Sequence, residues 1–129
     1  MSYLVDSDYV ADYLKGRVPA TTLLDRLFHE GIAVSIVTYA EVYEGIYYGQ
    51  KRVVSEQGLR LFLQTTPVIG INRSIAKCYA TLRGDLARKG QLIDQPDLFI
   101  AATAMHHNLT LVTRNLRDYQ RIPDLKMYP

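Results

Sequence analysis

The sequence predicts an α/β protein organised around a parallel sheet, and three observations lead there. Short apolar runs rich in Val, Ile and Leu recur along the 129-residue chain, each with the composition and length of a strand. Between them, apolar residues return every three or four positions, the period of a helix with one buried face. Strand and helix alternate, and that order joins parallel strands by helices that cover both faces of the sheet.

Tyr3-Leu4-Val5 is a short strand ending at Asp6. Val10 to Leu14 reads as a brief helix, stopped by Lys15-Gly16-Arg17-Val18-Pro19, where glycine and proline break the period. Leu23, Leu24, Leu27 and Phe28 fall at helical spacing before Gly31. Ala33-Val34-Ser35-Ile36-Val37 is a second strand, after which Thr38 opens a helix running through Glu41 and Val42 towards Tyr48. A further helix covers roughly Val54 to Leu63, and Val68-Ile69 makes a short strand after Pro67. Ile75, Tyr79, Leu82 and Leu86 form the stripe of a longer helix ending near Gly90. Leu98 to His106 is apolar nearly all round, the mark of a buried helix, and Leu109 to Thr113 is the last strand.

Length and composition bound the function. A chain of 14.7 kDa has the size of one domain, residues 1–129, with enough sequence for its own core. A hydrophobic content of 48% with 22% charged residues belongs to a folded chain rather than a disordered one. The start, Met1-Ser2-Tyr3-Leu4-Val5-Asp6, lacks the basic and apolar regions of a secretory signal. No apolar stretch approaches the ~20 residues of a membrane span. Cys78 has no partner in the chain, which suits the reducing cytoplasm, and Asn108-Leu109-Thr110 then reads as a chance glycosylation sequon. The formal charge of +2 is mild, but ten of the fifteen basic residues are Arg, the side chain suited to phosphate.

Placed on this map, the acids are informative. Asp6 ends the first strand, Glu41 lies in the first turn of the helix after the second, and Asp97 lies in the first turn of the helix feeding the last. Asn115 and Asp118 follow that last strand. The carboxyl ends of parallel strands form the ligand crevice of an open sheet, so acids distant in sequence converge there. Converging carboxylates stay ionised only around a cation, and oxygen ligands of this type suit Mg²⁺ or Mn²⁺. Helix capping is the competing explanation. Thr38-x-x-Glu41 has the form of a capping box, Asp94-x-x-Asp97 resembles one, and Asp6 can cap the first helix. Each acid singly fits a cap; capping does not require that all of them face one crevice.

The segments "YLVDSDYV", "SIVTYAEVYEGI", "LIDQPDLFIAATA" and "LTLVTRNLRDYQRIPDL" resemble, in order and spacing, the PIN-domain ribonuclease toxins of bacterial type II toxin–antitoxin systems, the VapC group. The likeness runs essentially from end to end. It implies a PIN-like α/β/α sandwich with a central parallel sheet of four to five strands, a divalent metal (Mg²⁺ or Mn²⁺), and endonucleolytic cleavage of RNA. It implies further a cognate antitoxin protein as partner and a homodimer. By position, Asp6, Glu41 and Asp97 become the catalytic, metal-binding acids. The family's fourth acid falls on Asn115, with Asp118 just behind it, so the chain has one carboxylate fewer there. Asp8 stands where the family usually has Asn, and either restores negative charge near the pocket or points to solvent.

The chemistry explains why such residues are needed. Hydrolysing a phosphodiester brings a hydroxide to an anionic phosphate, and a metal held by Asp6 and Asp97 would acidify a water and neutralise a phosphate oxygen. Glu41 would complete the cage or orient the water. Ser7 and Thr113 carry hydroxyls suited to bonding the ligand acids. Arg114, Arg117 and Arg121, just past the acidic strand end, could meet RNA phosphates or bridge to Asp118 and Asp124. Tyr39, Tyr43 and Tyr47 share one side of a helix at i, i+4 spacing, where they could stack bases or, as the resemblance favours, form the antitoxin interface, with Gly45 permitting close approach. His29, His106 and His107 sit near helix ends, where an imidazolium suits the dipole. Two other readings compete: a PIN fold that binds RNA or a partner without cutting, which the Asn115 replacement keeps open, and a phosphoacceptor signalling domain. The second lacks the middle-strand Asp and the late-strand Lys that it would need.

Overall fold

The computed structural model describes every residue from Met1 to Pro129. Four strands, β1 (Tyr3–Val5), β2 (Ile32–Ser35), β3 (Val68–Ile69) and β4 (Thr110–Val112), form one parallel sheet in the order β3-β2-β1-β4. Seven helices accompany them: α1 (Ser7–Leu14), α2 (Ala20–Leu27), α3 (Ile36–Tyr47), α4 (Arg52–Leu63), α5 (Arg73–Arg88), α6 (Gln95–His106) and the single turn α7 (Leu116–Tyr119).

The two-residue period of the strands divides the interior into two cores. Leu4, Ala33 and Leu111 point to one face and pack with Leu98, Ile100 and Ala101 of α6, with Leu86 of α5 and with Tyr119. Their neighbours Val5, Ile32, Val34 and Val112 point to the other face and meet Val10, Leu24, Val42 and Phe62 of α1 to α4. Helix α6 is buried over most of its circumference, and its alanines let it lie close to the sheet. Tyr79 of α5 stacks on Phe99 of α6 with ring centroids 3.9 Å apart. Cys78, half-buried on α5, has its thiol pushed up by burial, as fits a packing residue.

Strand order sets where a site can form. From β1 the chain steps to β2 and β3 on one side, then returns through α6 to β4 on the other side of β1. The order therefore reverses between β1 and β4, and a crevice opens beyond their carboxyl ends.

Several element boundaries differ from expectation, each for a local reason. α1 starts at Ser7 because Asp6 caps it, accepting the Ser7 amide at 2.8 Å. β2 stops at Ser35 rather than Val37, because the Ser35 hydroxyl accepts the Val37 amide at 3.0 Å and starts α3 there. The Thr38–Glu41 capping box is consequently not formed: Thr38 is buried inside the helix with its hydroxyl unpartnered. Glu41 lies in the second turn, not the first. Asp97 does lie in the first turn of α6, but Asp94 at its cap makes no side-chain bond. No helix is long and apolar enough to cross a membrane.

Candidate active site

Asp6 leaves β1 at the crevice and is only 6% exposed. Its backbone amide donates to the Val112 carbonyl at 2.9 Å, which ties the end of β1 to β4. The side chain accepts two bonds from neutral donors, the Ser7 amide on Oδ1 at 2.8 Å and the Thr113 hydroxyl on Oδ2 at 2.7 Å. Burial pushes its carboxyl up to about 6, the nearby charges of Asp8 and Asp97 add to this, and the two bonds act against it.

Asp97 enters from the first turn of α6 and is half-buried. Tyr119 donates its hydroxyl to Oδ1 at 3.2 Å, and Asn115 donates its amide to Oδ2 at 3.3 Å and to Asp118 at 3.2 Å. Burial raises the Asp97 carboxyl above its ordinary range, and the charges of Glu41, Asp94 and Asp118 push the same way. Glu41 comes from α3, is exposed, and accepts the Ser7 hydroxyl at 2.6 Å.

Asp6 just past β1, Glu41 of α3 and Asp97 of α6 thus gather at the switch point: Ser7 bonds both Asp6 and Glu41, and Asp97 feels Glu41 as Asp6 feels Asp97. None of the three forms an ion pair with an Arg, Lys or His. Hard oxygen donors with no protein cation among them fit a hard divalent ion in kind. The three side chains do not close into a finished group of ligands, so such an ion would have to draw the third one in. Glu41 is the exposed member and the one with room to move.

The remaining candidates divide. Thr113 and Ser7 bond directly to the acids, as the sequence suggested. Asp8 does not point freely into solvent: it accepts the Arg114 backbone amide at 2.9 Å and joins α1 to the segment after β4. Arg114 is engaged with Asp12 at 2.8 Å and lies 5.5 Å over the ring of Tyr9. Arg121 donates to the Leu92 carbonyl at 2.9 Å. Arg117 alone of the three is exposed with neither an ion pair nor a hydrogen bond, and it remains free to meet a phosphate. Tyr119 lies in the tail segment that carries the family likeness, yet the sequence assigns it no site role. Its position one helical turn beyond Asn115 was the available signal, and its burial was not legible.

Helix α3 presents two different faces. Tyr39, Tyr43 and Tyr47 share one, with Tyr39 and Tyr43 stacked at 6.0 Å, Tyr43 bonded to Glu56 at 2.9 Å, and Tyr47 lying 4.7 Å beneath Arg52. Glu41, Val42, Gly45 and Ile46 turn instead towards a groove of about 680 Å³ between α1, α3 and α4. Gly45 therefore widens this groove rather than bringing another element close to the tyrosines, and a Cβ added there would meet nothing within 4 Å. Ser7, Asp8 and Glu41 stand at the end nearest the crevice, and Lys15 and Lys51 follow the far ends of α1 and α3.

Comparison with known proteins gives a consistent picture. The PIN domain matches residues 3–125. Ribonuclease VapC2 of Rickettsia felis is 35% identical over 94 residues, 73% of this chain and 70% of that protein. Ribonuclease VapC1 of Methanocaldococcus jannaschii is 33% identical over 97% of this chain and 85% of its own length. Among solved structures, VapBC2 from Rickettsia felis bound to a DNA fragment from its promoter superposes with a TM-score of 0.91. It is 29% identical, covering 99% of this chain and 98% of that one.

Proposed function

This chain belongs to the PIN-domain family, and we propose from that premise that it is the endoribonuclease toxin of a toxin–antitoxin pair, a single PIN domain acting in the cytoplasm with Mg²⁺ or Mn²⁺. The observation that carries the reading is the meeting of Asp6, Glu41 and Asp97 at the sheet's switch point without a protein cation. The relatives named ribonuclease VapC support it.

In this reading Asp6 and Asp97 would hold the ion, and Glu41, which accepts the Ser7 hydroxyl, would complete its surroundings or orient the attacking water. Thr113 and the Ser7 amide keep both Asp6 oxygens in place, while Asn115 and Tyr119 do so for Asp97. The ion, when bound, supplies positive charge for a phosphate oxygen and lowers the pKa of water. Asp118 holds the Asn115 amide, so the fourth position orients a ligand acid rather than adding a charge. Incubating the purified chain with total RNA, with and without Mn²⁺, tests the reading. A few discrete metal-dependent cuts in structured RNA are expected; intact RNA in both tubes favours a binding module, and indiscriminate degradation counts against a selective toxin.

Arg117 is the proposed RNA contact, because Arg114 and Arg121 are already engaged. Arg117→Ala should weaken RNA binding several-fold and flatten its salt dependence by about one phosphate contact. Arg114→Ala should instead lower the melting temperature through loss of the Asp8 and Asp12 pairs. The reverse pattern would reassign the two.

An antitoxin is the proposed partner of α3, with the toxin as a homodimer. Tyr39, Tyr43 and Tyr47 offer large, partly exposed rings of the type that anchors interfaces. Tyr43→Ala with Tyr47→Ala should weaken antitoxin binding by about tenfold or more, while RNA cleavage by the free toxin persists. Unchanged affinity would move the antitoxin interface away from these tyrosines.

A further inference from the structure

Tyr119 is the only tyrosine in the buried interior, with no exposed surface. Its ring belongs to the core cluster that contains Leu98, Leu111 and Ile122. From there the hydroxyl reaches Asp97 Oδ1 at 3.2 Å, with the Asp6 carboxylate also close enough to act on it. A phenylalanine would fill the same apolar space, so packing does not account for the hydroxyl. Burying a hydroxyl is costly without a partner, and its partner is a candidate ligand.

The donors around the two acids show what the hydroxyl adds. Each oxygen of Asp6 and Asp97 receives one bond, from Ser7, Thr113, Tyr119 and Asn115, and every donor is neutral. Neutral donors orient the carboxylates without cancelling the charge that would hold a cation, and each oxygen keeps a second lone pair. Ser7, Thr113 and Asn115 donate through a backbone amide or a short side chain, whereas Tyr119, at the end of α7, donates from a large ring with no exposed surface.

We propose that Tyr119 is a positioning residue: its hydroxyl anchors Asp97 from the core side and holds it beside Asp6, ready to take up a divalent ion. The activity part rests on the nuclease reading above, while the metal-binding part does not. Partners of this kind are worth about 10–100-fold in metal affinity or activity.

The test is Tyr119→Phe, followed by Mn²⁺ titration calorimetry, cleavage kinetics at several Mn²⁺ concentrations, and melting temperature. Mn²⁺ affinity should fall about 10–100-fold. At limiting Mn²⁺ kcat should fall with KM for RNA unchanged, and excess Mn²⁺ should restore kcat by mass action. A tyrosine with only a structural part would change the melting temperature and leave the Mn²⁺ affinity alone. Affinity within about twofold of wild type therefore overturns the proposal, as does a wild-type protein that binds no Mn²⁺. If wild type binds Mn²⁺ but cuts no RNA, and the variant binds it at least tenfold more weakly, the inference is supported and the nuclease reading fails.

Discussion

Asp6→Asn should reduce RNA cleavage by on the order of 10³-fold or more and, in the same protein, make the metal-free fold more stable at pH 8. The first effect follows from removing a charge where Asp6 and Asp97 would share an ion. The second follows from burial. With only 6% of Asp6 exposed, its carboxyl is pushed from 3.8 to about 6, so the folded chain keeps a proton that the unfolded chain has already lost. For a group raised in this way, the favourable contribution is complete below about pH 4 and is lost as pH rises to about 6. Above that the fold carries the full cost of a buried charge, about 3 kcal/mol at 1.36 kcal/mol per pH unit. Asparagine removes this cost. Its Oδ1 can still accept the Ser7 amide, and the Thr113 hydroxyl can turn to accept its Nδ2. A net gain of about 1–3 kcal/mol is expected from urea unfolding in EDTA at pH 8. A variant that cuts RNA at the wild-type rate would remove Asp6 from the site. One that is less stable than wild type at pH 8 would show that its bonds outweigh its desolvation.

Stripping the metal should stop cleavage completely, and returning it should restore both activity and stability in a pH-dependent way. Mn²⁺ at about 100 times its dissociation constant stabilises the fold by about 2.7 kcal/mol, provided it ignores the unfolded chain. Protons compete for the same oxygens, and the Asp6 carboxyl titrates at about 6 while Asp97 is also raised, both chiefly by burial. Each pH unit below about 6 should then weaken binding by about tenfold for one competing proton. Mn²⁺ is accordingly expected to raise the melting temperature clearly at pH 8 and barely at pH 5. Cleavage that survives EDTA, or an Mn²⁺ effect equal at both pH values, would sink the carboxylate-metal assignment.

How much of this was legible in the sequence depended on whether a feature was local. The alternation of Leu4 and Val5, or of Leu111 and Val112, between the two cores is a two-residue pattern that side-chain geometry alone imposes. The apolar circumference of α6 and the stripes of α4 and α5 are equally local. Asp6 was readable as both cap and site residue because a strand end and a helix start coincide there. The start of α3 was not. Ser35 and Thr38 can each cap a helix, and Ile36-Val37 suits strand as well as helix; the end of β2 pairing at Ser35 lets its hydroxyl, rather than that of Thr38, cap α3, and carries Glu41 into the second turn.

By itself the sequence determined the α/β class, the order of the elements and the acids at their ends, because hydrophobic periodicity and turn chemistry act over a few residues. The tertiary structure alone decided which neutral groups hold those acids and which cations stay free. Tyr119 meets Asp97 across 22 positions, and the Arg114 amide meets Asp8 across 106. Such pairings depend on how β4 lies against β1 and how α7 folds under the crevice. The physical reason is that a hydrogen bond requires its two atoms within about 3.5 Å, and chain-distant groups reach that separation only after the sheet and its two cores have formed.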